Sequence, residues 1–128
     1  MENGIYRVQF TSSTGEAGHG LVVVQNKSFN GGDLGYIYRG RAKIIDHTIT
    51  CKVQVSQYDA SQPSLFSPRE RFFLELSGTL NHGENGFNLS GTIVGQPQLQ
   101  MLVVGKKVCN LAARGLYRMR VRTGHQQR

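Results

Sequence analysis

The sequence predicts an all-β fold: a closed, antiparallel, up-and-down β-barrel of about eight strands with one short helix. Three observations lead there. Through most of the chain apolar residues alternate with polar ones at period two, the pattern of strands with one wet and one buried face. The alternating runs are joined by short stretches rich in Gly, Asn, Asp and Pro, with no connection that reads as a crossover helix. The chain has 128 residues, enough for one core but not two. Closing such a meander removes the edges that an open sheet would expose.

Taken in order, Tyr6, Val8 and Phe10 alternate with Arg7, Gln9 and Thr11. Gly20 to Asn26 is apolar on both faces (Leu21, Val22, Val23, Val24) and reads as a strand covered on both sides. Asn30-Gly31-Gly32-Asp33 reads as a turn of residues that accept positive φ. Leu34 to Arg41 sets Tyr36 and Tyr38 on one face and Ile37, Arg39 and Arg41 on the other. The clearest alternation is His47 to Ser56, where Ile49, Cys51, Val53 and Val55 share a face.

Residues 57 to 70 break the rhythm with Pro63 and Pro68. Within them Ser67-Pro68-Arg69-Glu70 has a helix-start pattern, with Ser as N-cap, Pro at the first position and Glu reaching back. This is the short helix, expected to cap one end of the sheet. Strands resume from Arg71 to Leu80, turn at His82 to Gly86, return from Phe87 to Val94, turn at Gly95-Gln96-Pro97 and continue from Gln98 to about Leu111. Leu76-Ser77-Gly78-Thr79 is echoed by Leu89-Ser90-Gly91-Thr92, as two adjacent antiparallel strands of like chemistry would be. The two glycines allow tight bending of the sheet. The overall shape expected is lipocalin-like, with a barrel domain over residues 1–112 and a basic tail over 113–128.

The net charge is +7, but it is unevenly placed. Residues 1–104 hold eight Lys/Arg and all eight Asp/Glu, whereas Lys106, Lys107, Arg114, Arg118, Arg120, Arg122 and Arg128 carry the excess. The domain is therefore neutral and its tail basic. No apolar run is longer than that of Leu21 to Val24, which falls far short of the roughly 18 residues a membrane helix needs, so no membrane partner is expected. The opening Met1-Glu2-Asn3-Gly4 lacks the basic and apolar parts of a secretory signal, which points to the cytoplasm.

Catalytic constellations are scarce, and the sequence predicts no enzyme, no cofactor and no metal site. His19, His47, His82 and His125 fall in turns, at strand ends or in the tail, outside any nucleophile motif. Gly31-Gly32 is followed by neither a helix nor the Lys-Ser/Thr of a phosphate loop. His47 and Cys51 share a strand face but lie roughly 13 Å apart, too far to hold one ion. Cys51 and Cys109 both read as small buried hydrophobes.

Two features remain. Tyr6, Phe10, Tyr36, Tyr38, Phe72 and Phe87 line the barrel interior, which either is filled by these side chains or holds one small apolar ligand. Arg118, Arg120 and Arg122 alternate with Tyr117, Met119 and Val121; such a tail either meets phosphates of a nucleic acid or an acidic partner, or is a solvated terminus.

The segments Gly4-Ile5-Tyr6, Phe10-Thr11-Ser12, Gly20-Leu21-Val22-Val23-Val24, Asn30-Gly31-Gly32-Asp33 and Tyr36-Ile37-Tyr38-Arg39-Gly40 occur in an order that resembles the GrlR-like proteins, negative regulators of bacterial type III secretion genes. Phe72-Phe73-Leu74-Glu75-Leu76-Ser77-Gly78-Thr79 and Leu89-Ser90-Gly91-Thr92 resemble that family as well. The resemblance spans roughly residues 4 to 108 and leaves out the tail. It implies a calycin-like barrel, dimeric, that binds and sequesters a transcriptional activator with a helix-turn-helix domain. It also implies a partner-binding turn at Lys43, Ile44, Ile45, Asp46 and His47, where the founding branch carries an acidic cluster and this chain has one acid. The expected function is therefore non-enzymatic repression through protein contact. The alternatives are an apolar-ligand barrel acting as carrier or sensor, and nucleic-acid binding through the tail.

Overall fold

Period-two alternation becomes eight antiparallel strands in the computed structural model, which describes residues 1–61 and 71–113. They are β1 Gly4–Ser12, β2 Ala17–Gln25, β3 Ser28–Gly32, β4 Tyr36–Ile45, β5 Thr48–Gln57, β6 Arg71–Leu80, β7 Gly86–Ile93 and β8 Gln96–Cys109. Each strand pairs with the next, and β8 returns to β1, from Ser12↔Met101 to Ile5↔Cys109, to close the barrel. β8 is the longest strand, and its register shifts against β7 between Thr92 and Ile93 and against β1 between Ile5 and Tyr6. Such irregularities bend a strand, as closure requires. No helix occurs among the described residues. The helical turn expected at Ser67 to Glu70, and the basic tail beyond Ala113, lie outside them.

The core is the inward row of every strand. Val8 and Phe10 of β1, Val22 and Val24 of β2, Ile49, Val53 and Val55 of β5, and Leu74 and Leu76 of β6 are all buried, and they belong to one continuous cluster. No described helix among the described residues is long and apolar enough to cross a membrane.

Four expectations are corrected. β2 is not covered on both faces: Leu21 is 55% exposed and Val23 36%, whereas Val22 and Val24 are buried. A barrel strand has only one inner face, and no described layer packs on the outside of this one. Second, Asn30-Gly31-Gly32 is strand, not turn, and pairs with both Val23-Val22-Leu21 of β2 and Arg39-Tyr38-Ile37 of β4. The reversal before it is at Asn26-Lys27, whose φ values of 50° and 66° suit the tight hairpin turn that follows the twist of its strands. Gly31 does not have a positive φ; it is needed because a Cβ there would lie 2.1 Å from the Leu21 carbonyl oxygen. Third, Lys43, Ile44 and Ile45 end β4, so that the β4–β5 turn is only Asp46-His47. Fourth, Cys51 is buried but Cys109 is exposed, because it stands at the end of β8, past the core.

Candidate functional site

The strand order places the β1–β2, β3–β4 and β7–β8 connections at one end of the barrel. The β2–β3, β4–β5 and β6–β7 turns stand at the other. Inside is a cavity of about 790 Å³, bordered at the first end by Ala17, Gly18 and His19 and by Gly32 to Gly35. Its walls are apolar, and five of the six aromatic residues singled out from the sequence stand in them: Phe10, Tyr36, Tyr38, Phe72 and Phe87. The Phe10 and Tyr38 rings meet edge to face at 5.5 Å. Tyr36 lies 6.5 Å from Phe72.

Tyr6 is not part of the lining. It lies behind Phe87, with ring centroids 5.6 Å apart, and its hydroxyl donates to the Glu2 carbonyl at 2.7 Å. Phe29, which periodicity did not single out because it preceded a misplaced turn, does line the cavity and stacks on Phe87 at 6.0 Å. Tyr6, Phe87 and Phe29 thus fill the far end of the barrel with rings.

The mouth is organised by Asp33. One carboxylate oxygen accepts the backbone N–H groups of Gly35 and Tyr36, each at 2.9 Å, and closes the β3–β4 turn. The other accepts the Tyr38 hydroxyl, and the Asp33 carbonyl accepts the Tyr58 hydroxyl at 2.7 Å. The Tyr38 hydroxyl holds its proton far more tightly than an ordinary phenol, first because burial disfavours the phenolate and then because of its bond to Asp33. The Tyr36 hydroxyl differs: it is buried and has no hydrogen-bond partner among the described residues.

Burial, followed by the nearby charges of Glu2 and Glu84, pushes the Tyr6 hydroxyl from its ordinary value of 10.0 up to about 12. The folded chain therefore keeps a proton that the unfolded chain gives up first. This contribution to stability is whole below pH 10 and is lost as pH rises toward 12. Denaturant midpoints measured across that window should fall in the parent chain and fall less steeply in Tyr6→Phe. Equal slopes would show that Tyr6 is not the group responsible.

At the opposite end, the β4–β5 hairpin presents the five residues chosen as a partner surface. Asp46 has a φ of 57°, Ile44 packs partly against the core, and Ile45 is 63% exposed. Lys43 continues the outward row of Arg39 and Arg41 on β4, where Lys52 of β5 stands directly opposite Arg41. The cavity mouth and this hairpin are thus at different ends, and the fold does not bring the two candidate sites together. On the outer wall a third feature appears, because β2 has an uncovered outer face. Leu21 and Ile37 flank Gly32 on either side of β3, with Val23 next along β2. Among the described residues no group of three His, Cys, Asp or Glu is placed to hold a metal ion.

A family model described as the T3SS negative regulator GrlR matches residues 1–111, a span that takes in all eight strands. No curated protein matches the chain.

Proposed function

The chain belongs to the GrlR family of negative regulators of type III secretion, and from that premise we propose that it acts by binding a transcriptional activator with a helix-turn-helix domain and holding it off DNA. On this reading it is a cytoplasmic, non-enzymatic repressor. The observation that carries the reading is the match over residues 1–111, which covers the whole barrel rather than one motif.

The contact surface proposed is the β4–β5 hairpin, Lys43 to His47. Ile45 is a large apolar side chain held out at the last residue of β4, beside the two-residue turn, and such a residue anchors an interface when a partner's pocket closes over it. A DNA-binding domain is basic, so Lys43 marks the edge of this surface, and the outer row of Arg39 and Arg41 beyond it repels such a partner. The tip suits it better, because Asp46 lies there and Glu84 is close enough for the His47 charge to act on it. A second copy of the chain is proposed to cover Leu21, Val23 and Ile37, whose exposure on one outer wall makes an apolar patch.

A chain carrying Ile45→Ser and Asp46→Asn is expected to keep its melting temperature, since Asn accepts the φ of 57° at position 46, and to bind the native activator at least about tenfold more weakly, since covering one large aliphatic side chain is worth about 1.5–3 kcal/mol. Light scattering should give both proteins the mass of two chains. Undiminished capture of the activator by the double variant would sink the assignment of this hairpin, and a mass of one chain would sink the dimer.

A further inference from the structure

We propose that the outer wall of β4 and β5 is a binding surface for single-stranded nucleic acid, whose phosphates lie along Arg39, Arg41, Lys43 and Lys52. The proposal does not rest on the activator reading: it concerns the side of the barrel and a polyanion, not the hairpin tip and a basic protein domain.

The first observation is a concentration of charge without counter-charge. Arg39, Arg41 and Lys43 are exposed on the outward row of β4, and the exposed Lys52 of β5 stands directly opposite Arg41. Like charges that face each other across two strands destabilise a sheet. No carboxylate among the described residues forms an ion pair with any of the four. Glu75 is the one acid in the outward rows of β3 to β6, and it is opposite Lys52. Even so, the Lys52 ammonium lies over the Phe73 ring, 5.3 Å from its centroid. Lys107 of β8 shows the other arrangement, bonded to Glu2 at 2.7 Å. The β4–β5 wall thus holds a like-charge contact that a bound polyanion would relieve.

The second observation is the spacing and the chemistry of the neighbours. Every second residue along β4 puts the cations about 6.6 Å apart, close to the separation of successive phosphates in an extended nucleic-acid strand. Thr50 is opposite Lys43, and Ser77 is opposite Thr50. A groove of about 420 Å³ runs between Arg41, Thr50, Lys52 and Ser77, with Glu75 also at its border. Glu75 belongs to β6, so it directs phosphates toward the β4 side. Arg, Lys, Ser and Thr side chains are the usual donors to phosphate and sugar.

Other polyanions fit less well. The centre of a protein interface is poor in charged residues and is anchored by buried rings or aliphatic groups. Here the cross-strand neighbours of Arg39, Arg41 and Lys43 are Ser28, Asn30, Thr50, Lys52 and Gln54, all polar. A duplex is a convex cylinder and meets a convex barrel wall only along a line. An unpaired strand is flexible enough to follow the curve. Binding through phosphates alone is independent of base sequence and strongly dependent on salt.

The test uses the full chain and a fluorescent thymidine oligomer of about twenty nucleotides, followed by anisotropy as salt is raised from about 50 to about 200 mM. The parent should bind with a log–log slope near −0.7 per phosphate neutralised. Arg41→Gln with Lys52→Gln should melt close to the parent, since both side chains are exposed. That variant should bind at least about tenfold more weakly at the low-salt end, with a slope shallower by about 1.4. A duplex of equal length should bind more weakly than the oligomer. Arg118→Gln, Arg120→Gln and Arg122→Gln together test the basic tail, and with the wall intact this triple variant should still bind the oligomer. The proposal is overturned if the oligomer does not bind at low salt, if the wall variant binds it as the parent does, or if the tail variant alone abolishes binding. Displacement of the oligomer by poly-glutamate at equal charge concentration would overturn it too, in favour of an acidic protein.

Discussion

Gly91→Ala is expected to cost about 3–5 kcal/mol, a large share of the 5–15 kcal/mol that holds a domain of this kind together. A Cβ at Gly91 of β7 would lie 1.8 Å from the Glu75 carbonyl oxygen of β6, and a Cβ at Gly78 would lie 1.8 Å from the Asn88 carbonyl oxygen of β7. The obstacle is backbone in both cases, so no side chain can swing aside. The strands must part, and ladder hydrogen bonds go with them. Ordinary overpacking of a core costs about 1–3 kcal/mol, and this exceeds it because the sheet itself is displaced. The register explains the echoed Leu-Ser-Gly-Thr segments: Ser77 pairs with Ser90, and on either side Leu76 pairs with Gly91 and Gly78 with Leu89. Each glycine thus opens room for the strand that crosses it. Gly83→Ala is the control, because that turn residue has a φ of 85° and open space around it; only backbone strain of about 1–2 kcal/mol applies there. Denaturant unfolding reads both. A loss below about 1 kcal/mol for Gly91→Ala would show that the strands can separate at this point without harm.

Asp33→Ala is the second large effect, at about 2–4 kcal/mol. It removes a carboxylate that accepts two backbone N–H groups and the Tyr38 hydroxyl, and bonds to a charged acceptor are worth about 1.5–3 kcal/mol. It also leaves the Tyr38 hydroxyl buried without its partner. Asp33→Asn keeps one oxygen for the turn, and the Tyr38 hydroxyl can accept from the new amide, so about half of the loss should return. In a domain of this length the alanine variant should melt on the order of 10 °C lower. If Ala and Asn variants melt together, the charge of the carboxylate, which both lack, sets the cost rather than the turn oxygen or the Tyr38 bond that Asn keeps. If neither differs from the parent, Asp33 does not organise the mouth.

Alternation by itself determined which side chains enter the barrel. Tyr6, Val8 and Phe10, or Ile49, Cys51, Val53 and Val55, could be assigned inward because period two is a local property of an extended chain, independent of what it packs against. The resemblance in the Asn-Gly-Gly-Asp and Tyr-x-Tyr segments pointed to the same family as the match over residues 1–111. What an apolar run cannot say is whether its second face is covered. Leu21 and Val23 meet no covering layer among the described residues, and only the closed sheet decides that. Glycine is ambiguous in the same way: Gly31 reads as a residue for positive φ, but the pairing of three strands makes it a residue for close approach. Cys109 keeps the strand pattern yet lies past the core, because where a barrel ends depends on all its strands together. The cavity is the clearest case. Five of the aromatic residues that surround it were legible, since each faces inward on its own strand, whereas Phe29 was not. Whether their rings meet in the middle or leave a space depends on barrel diameter and strand tilt, which no stretch of sequence encodes alone.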